Sequence, residues 1–309
     1  MSKSQSRILL CLSLALLVMW GCKEKTPPAF YDKMQLAELP LEARYQGNGP
    51  EESVVIEFPV DSASGTKIVV TYPSSLVSSD NMFPLVVVCN GSNTNADLFL
   101  PMMRHLSSWG FVVADNMDEQ TARGNSIVAM LKEILILADT EGNPLYGKID
   151  PERIGIAGYS QGAVSAMMVS TQSDVAELIQ AIYLCSCPQP EIGKNLQWGE
   201  YDMADVRVPV LMFLGTGWAE NNVICPFEIF QQNFDRIPDG IPAVQARRTN
   251  KVDHDRMGAE GDAYMTAWFR YVLDSDKEAE KAFFGPDAEI LRNDDRWQDV
   301  RIKTYGLEK

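Results

Sequence analysis

The sequence predicts an α/β fold, with a mostly parallel central sheet and helices on both of its faces. Three observations carry that expectation. Short apolar and β-branched runs alternate with helical patterns along most of the chain. One run, residues 85–89, is continuously apolar, as a strand buried on both faces must be. Finally, a serine flanked by glycines stands where a predicted strand gives way to a predicted helix.

The elements follow in order. Residues 53–58 and 66–72 are β-rich and can pair across the turn between them. After strand 85–89, residues 98–109 read as a helix with Pro101 in its first turn, where proline is tolerated. Gly110 and a strand at 111–115 come next, then a helix at 126–138. Strand 154–157, helix 161–171, strand 181–185 and strand 210–214 continue the pattern. Helix 227–234, strand 243–247 and helix 262–273 complete it. No internal repeat or low-complexity tract is present, so a single domain over residues 51–309 is expected.

Composition sets the outer limits. A chain of 309 residues, 46% of them apolar, is neither disordered, nor collagen-like, nor a disulfide-stapled miniprotein. A net charge of −15 without a long Lys/Arg cluster argues against a nucleic-acid partner, whose phosphates would be repelled. Six irregularly spaced cysteines do not read as a disulfide framework.

The start of the chain reads as an export signal. Lys3 and Arg7 precede an apolar run, residues 8–20, too short for the roughly 20 residues of a spanning helix. The run ends at Met19-Trp20-Gly21-Cys22, and a small residue directly before a cysteine resembles a bacterial lipoprotein signal. By that reading residues 1–21 are removed and Cys22 carries the lipid; the other reading is an incidental cysteine beside an ordinary cleavage site. Acyl chains, not charge, would then hold this acidic body on a membrane. Residues 22–50, interrupted by Pro27, Pro28, Pro40 and Pro50, read as a tether.

The most informative residues are Gly158-Tyr159-Ser160-Gln161-Gly162. A serine on a sharp strand-to-helix turn projects its hydroxyl from the sheet edge, and larger side chains in place of the two glycines would crowd that turn. The following helix aims its first amides at the same spot, so the N–H of Gln161 can meet a developing oxyanion. A serine hydroxyl needs a base, and the chain has two histidines. His105 lies within a covering helix. His254, in Val252-Asp253-His254-Asp255, follows the last predicted strand and is the candidate base. A metal site there lacks a second nearby histidine, and no metal or organic cofactor is implied.

From about residue 83 to residue 284 the chain resembles the α/β-hydrolase superfamily, in particular its dienelactone-hydrolase-like branch with the bacterial cutinases and polyester hydrolases. Three stretches carry the resemblance. Val86-Val87-Val88-Cys89-Asn90-Gly91 leads to Trp109-Gly110-Phe111-Val112-Val113; Tyr146-Gly147-Lys148-Ile149-Asp150 runs through Arg153-Ile154-Gly155 to Ser160; Val208-Pro209-Val210-Leu211 precedes His254. The resemblance implies an α/β-hydrolase fold, with the second oxyanion N–H at Ser92 or, as a near alternative, Asn93. It also implies an acid in the loop Gly215-Thr216-Gly217-Trp218-Ala219-Glu220-Asn221-Asn222. The relatives usually have Asp there, and ungapped counting places Asn222 at that position. Glu220 is the only carboxylate in the loop and the favoured acid, with Asp253 or Asp255 as alternatives. Polyester hydrolases of this kind carry an aromatic residue where Ser92 stands and a Trp where Gln189 stands, so polyester is not carried over as substrate. Cys89, Cys185, Cys187 and Cys225 read as core or loop thiols.

The expectation is a serine hydrolase cleaving a carboxylic ester, small or carried on a glycan, through Ser160, His254 and Glu220. The alternative from another class is a catalytically inactive surface lipoprotein that binds a glycan or lipid. Neither acyl length nor oligomeric state is legible.

Overall fold

The computed structural model of the chain describes residues 31, 34–62 and 65–304. The expected signal and Cys22 lie outside the described residues.

Alternating burial explains the sheet. Leu85, Val87 and Cys89 enter one apolar cluster while Val86 and Val88 enter another, so a single strand feeds cores on both faces. The described strands are β1 (Ser53–Ser62), β2 (Gly65–Pro73), β3 (Phe83–Cys89), β4 (Val112–Asn116), β5 (Ile149–Tyr159), β6 (Ile179–Cys185), β7 (Val210–Gly215), β8 (Ala243–Arg248) and β9 (Trp297–Lys303). They form one sheet in the order β1-β2-β4-β3-β5-β6-β7-β8-β9. Pairing is parallel from β4 through β8 and antiparallel at both margins. The α/β architecture expected from the sequence is the one found.

Helices cover both faces. On one side α3 (Asn125–Asp139), α4 (Gln161–Gln172) and α6 (Phe227–Arg236) bury Ile127, Met130, Val164, Met167, Phe230 and Phe234. On the other, α2 (Ala96–Ser108) and α8 (Asp262–Asp274) bury Phe99, Met103, Leu106, Tyr264, Trp268 and Phe269. α2 begins two residues earlier than expected, so Pro101 stands inside the helix rather than in its first turn. Short helices α5 (Pro190–Asn195), α7 (His254–Glu260) and α9 (Lys277–Glu280) link the larger elements.

Two expectations are corrected. β9 was not anticipated; it is a half-buried margin strand whose charged side chains mask its alternation. The tether does not extend to residue 50, because residues 34–50 belong to the body. Helix α1 (Pro40–Gln46) docks with Tyr45 and Glu42 fully buried. Leu41 and Glu42 donate their N–H groups to the Glu289 carboxylate, each at 2.7 Å. The Glu42 carboxylate accepts from Asn293, Arg296 and the Trp297 indole at 2.6, 2.8 and 2.9 Å. A buried carboxylate is tolerable only with such a set of donors. Among the described residues no helix is long and apolar enough to cross a membrane.

Candidate active site

β5 ends at Tyr159 and α4 begins at Gln161, so Ser160 must make the whole reversal. It does so at φ 54°, ψ −123°, a strained conformation for a residue with a side chain. The Ser160 N–H donates to Cys185 O at 2.9 Å, which ties the turn to the neighbouring strand. The glycines are required by close approach. A Cβ at Gly162 would stand 1.8 Å from Cys89 O, and one at Gly158 would stand 2.4 Å from Gly162 O.

His254 opens α7 beside that turn. Its Nε2 lies 2.9 Å from Ser160 Oγ, and its Nδ1 lies 2.6 Å from Glu220 Oε1. The second Glu220 oxygen accepts the Gly215 N–H at 2.9 Å, and the residue is fully buried. The imidazole stacks on the Tyr159 ring, centroids 5.1 Å apart and planes 22° off parallel, while the Tyr159 hydroxyl donates to His254 O. Burial, first, and then the nearby Cys185, Glu220 and Asp255 push the Tyr159 phenol well above its ordinary pKa, so it stays a donor.

The acid and base loops are built as one piece. Thr216 and Gly217 donate their N–H groups to Val252 O at 3.1 and 2.8 Å. Asp253 bridges the two loops, accepting from the N–H groups of Ala219, Glu220 and His254 at 3.3, 3.2 and 3.0 Å. Burial pushes the Asp253 carboxyl up, but those three N–H groups and the charge of His254 hold it below the usual value. Of the four acid candidates, Glu220 alone reaches the imidazole. Asp255 and Asn222 are exposed, and Asn222 donates its side-chain N–H to Trp218 O.

On the other side of Ser160 stands the loop after β3. The Asn93 N–H is already donated to Glu119 O at 3.0 Å, which removes it as an oxyanion donor. Among the described residues neither the Ser92 N–H nor the Gln161 N–H has an acceptor. A Cβ at Gly91 would lie 3.5 Å from the Ser160 Cβ, so this loop packs directly against the serine. A network behind it holds the loop in place: Thr121 Oγ1 donates to Asn90 O at 2.9 Å, and Asn90 Nδ2 reaches Asp115 at 3.3 Å.

Ser160, His254 and Glu220 thus stand in one hydrogen-bonded chain, and residues 48–300 match the PET hydrolase-like family. The chain belongs to that family. No curated protein matches it. PET hydrolase-like proteins lie within the α/β-hydrolase superfamily, and membership makes this an ester hydrolase in general terms. The match begins after α1, so the docked N-terminal segment is outside the part of the chain shared with the PET hydrolase-like family.

Ser92 and Gln189, where the resembling polyester hydrolases are aromatic, are both half-buried. Cys89, Cys185, Cys187 and Cys225 are buried free thiols. The loop-bridging role of Asp253 and the stacking of Tyr159 had no sequence signal, because they depend on partners 33 and 95 positions away.

Proposed function

We propose that the protein is a serine carboxylic-ester hydrolase working through Ser160, His254 and Glu220. One observation carries this reading: an unbroken hydrogen-bond relay from Ser160 Oγ through both imidazole nitrogens to a buried carboxylate. An inert binding protein has no use for such a relay.

The steps follow from the geometry. His254 Nε2 takes the Ser160 proton as Oγ attacks the acyl carbon, and Glu220 holds the Nδ1–H and balances the imidazolium charge. The N–H groups of Gln161 and Ser92 take the oxyanion; one such donor is worth on the order of 10²–10³ in rate. His254 then returns the proton to the leaving alkoxide, and the acyl group remains on Oγ. Water, deprotonated by the same nitrogen, attacks the acyl-enzyme and releases the carboxylic acid and free Ser160. No cofactor enters these steps.

A fluorophosphonate probe tests the assignment. Folded wild-type protein is expected to be labelled at Ser160 and to hydrolyse p-nitrophenyl acetate, and Ser160→Ala to do neither. Labelling that persists in Ser160→Ala would place the nucleophile elsewhere. We also propose export with a lipid on Cys22, supported by the sequence of residues 3–25. Cys22→Ser should move the protein from the membrane to the soluble fraction without loss of esterase activity; retention in the membrane fraction refutes the anchor.

A further inference from the structure

The side chain of Gln161 forms part of a wall that the esterase steps do not use. It borders a cleft of about 390 Å³ that begins one residue from the nucleophile, between the loop after β4 and the 196–198 segment after α5. A second depression of about 340 Å³ continues it and shares Arg123, Asn125, Gln197 and Trp198. Together they make an elongated groove leading away from Ser160. Each volume is in the range that holds a ring-sized ligand.

The wall mixes apolar side chains, Ala122, Leu196, Trp198 and Met168, with polar groups that keep hydrogen-bonding capacity. Among the described residues, Arg123 uses only Nε, on Gln197 O at 3.0 Å, and both its Nη groups are unpaired. The Asn125 amide has no partner there, and Asp118 engages one carboxylate oxygen, with the Gln120 N–H at 2.9 Å. Gln161 is 1% exposed, and its Oε1 is buried without a partner. The half-buried Trp198 supplies a flat indole surface in the same lining, beside Leu196 and Met168. An aromatic or alkyl ester can pack on Trp198 and Leu196, but it strips water from the polar groups without pairing them, at about 1–3 kcal/mol for each group left unmet. A sugar ring fits otherwise: one face of C–H groups for the indole, and a rim of hydroxyls that both donate and accept. Guanidinium, amide and carboxylate are the groups that meet such a rim pairwise.

We propose that this groove binds the carbohydrate part of the substrate, so that the enzyme is selective for esters carried on a short oligosaccharide. The proposal rests on the serine-esterase reading and deepens it. Both depressions flank Trp198 and Asn125, so more than one sugar ring is engaged.

The test compares O-acetylated xylotetraose with p-nitrophenyl acetate, and measures unesterified xylotetraose binding by calorimetry. In Trp198→Ala and in Asn125→Ala the ratio of kcat/KM for the acetylated tetrasaccharide over that for p-nitrophenyl acetate is expected to fall about tenfold, the size of one lost stacking or paired contact. Asn125 is exposed at the start of α3, so its variant keeps the test valid should Trp198→Ala misfold. Wild-type protein should bind unesterified xylotetraose, and both variants should bind it more weakly. A ratio unchanged in both folded variants, with p-nitrophenyl acetate still hydrolysed, overturns the groove and leaves the esterase reading intact. Absence of all ester hydrolysis overturns the esterase reading, while sugar binding lost in the variants would still support the groove.

Discussion

Glu220→Gln keeps the shape of the acid and removes its charge. In the native protein both carboxylate oxygens accept: Oε1 faces His254 Nδ1 at 2.6 Å, and Oε2 takes the Gly215 N–H at 2.9 Å. An amide has one acceptor and one donor end, so it cannot do both. With its oxygen toward His254, its NH₂ meets the Gly215 N–H, and two buried donors oppose each other at a cost of about 1–3 kcal/mol. Turned the other way, it points a donor at Nδ1. The imidazole must then carry its proton on Nε2, the nitrogen that has to accept from Ser160. Either orientation also loses the negative charge that balances the imidazolium. A loss of roughly 10²–10⁴ in kcat follows, about 2.7–5.5 kcal/mol at about 1.36 kcal/mol per tenfold. The assay is steady-state hydrolysis of p-nitrophenyl acetate near pH 8, with thermal unfolding to establish that the variant folds. KM should change little, since Glu220 is walled off from solvent and substrate. Asn222→Ala and Asp255→Asn should each lose far less, and so should Asp253→Asn, whose carbonyl can still accept from the loop amides. A folded Glu220→Gln within a few-fold of wild type would refute the assignment.

Further outcomes concern the scaffold. Gly162→Ala should abolish activity and sharply lower soluble yield, because the added carbon would overlap the Cys89 carbonyl at 1.8 Å; a folded, active variant would mean that the turn can open. Burial pushes the thiols of Cys185 and Cys187 up to about 12, so native protein at pH 8 should leave these and the buried Cys89 and Cys225 unreacted with Ellman's reagent, whereas denatured protein exposes them. Burial lowers the pKa of His105, but the Asp262 charge and hydrogen bond, with the Gly47 carbonyl, outweigh it and leave the group above its ordinary 6.5. A raised base stabilises the native state fully below 6.5, and that contribution is lost as pH rises through the higher folded value. The urea midpoint should therefore fall across that interval in wild type and less so in His105→Gln; equal slopes would deny the pair a role.

The legible part of this protein was the part that local chemistry dictates. Continuous apolar runs marked the parallel strands because a strand covered on both faces has no polar side to show. Ser160 and His254 were readable because the reversal between β5 and α4 admits few residue types, and because two histidines left little choice of base. The resemblance implied the loop, and Glu220 was favoured within it as its only carboxylate. What tied it to His254 was the joining of two loops through Val252 O and Asp253, a contact between residues more than thirty positions apart. Helix α1 read as a tether because seven residues beginning with a proline are too few for a helical pattern to stand out, and the partners of its Glu42 are about 250 positions away. Likewise the groove beside Gln161 is assembled from the loop after β4, the starts of α3 and α4, and the segment after α5. Spacing along a chain records what neighbours must be; which distant side chains meet, and which polar groups are left without partners, is decided only when burial forces every donor and acceptor to be accounted for at once.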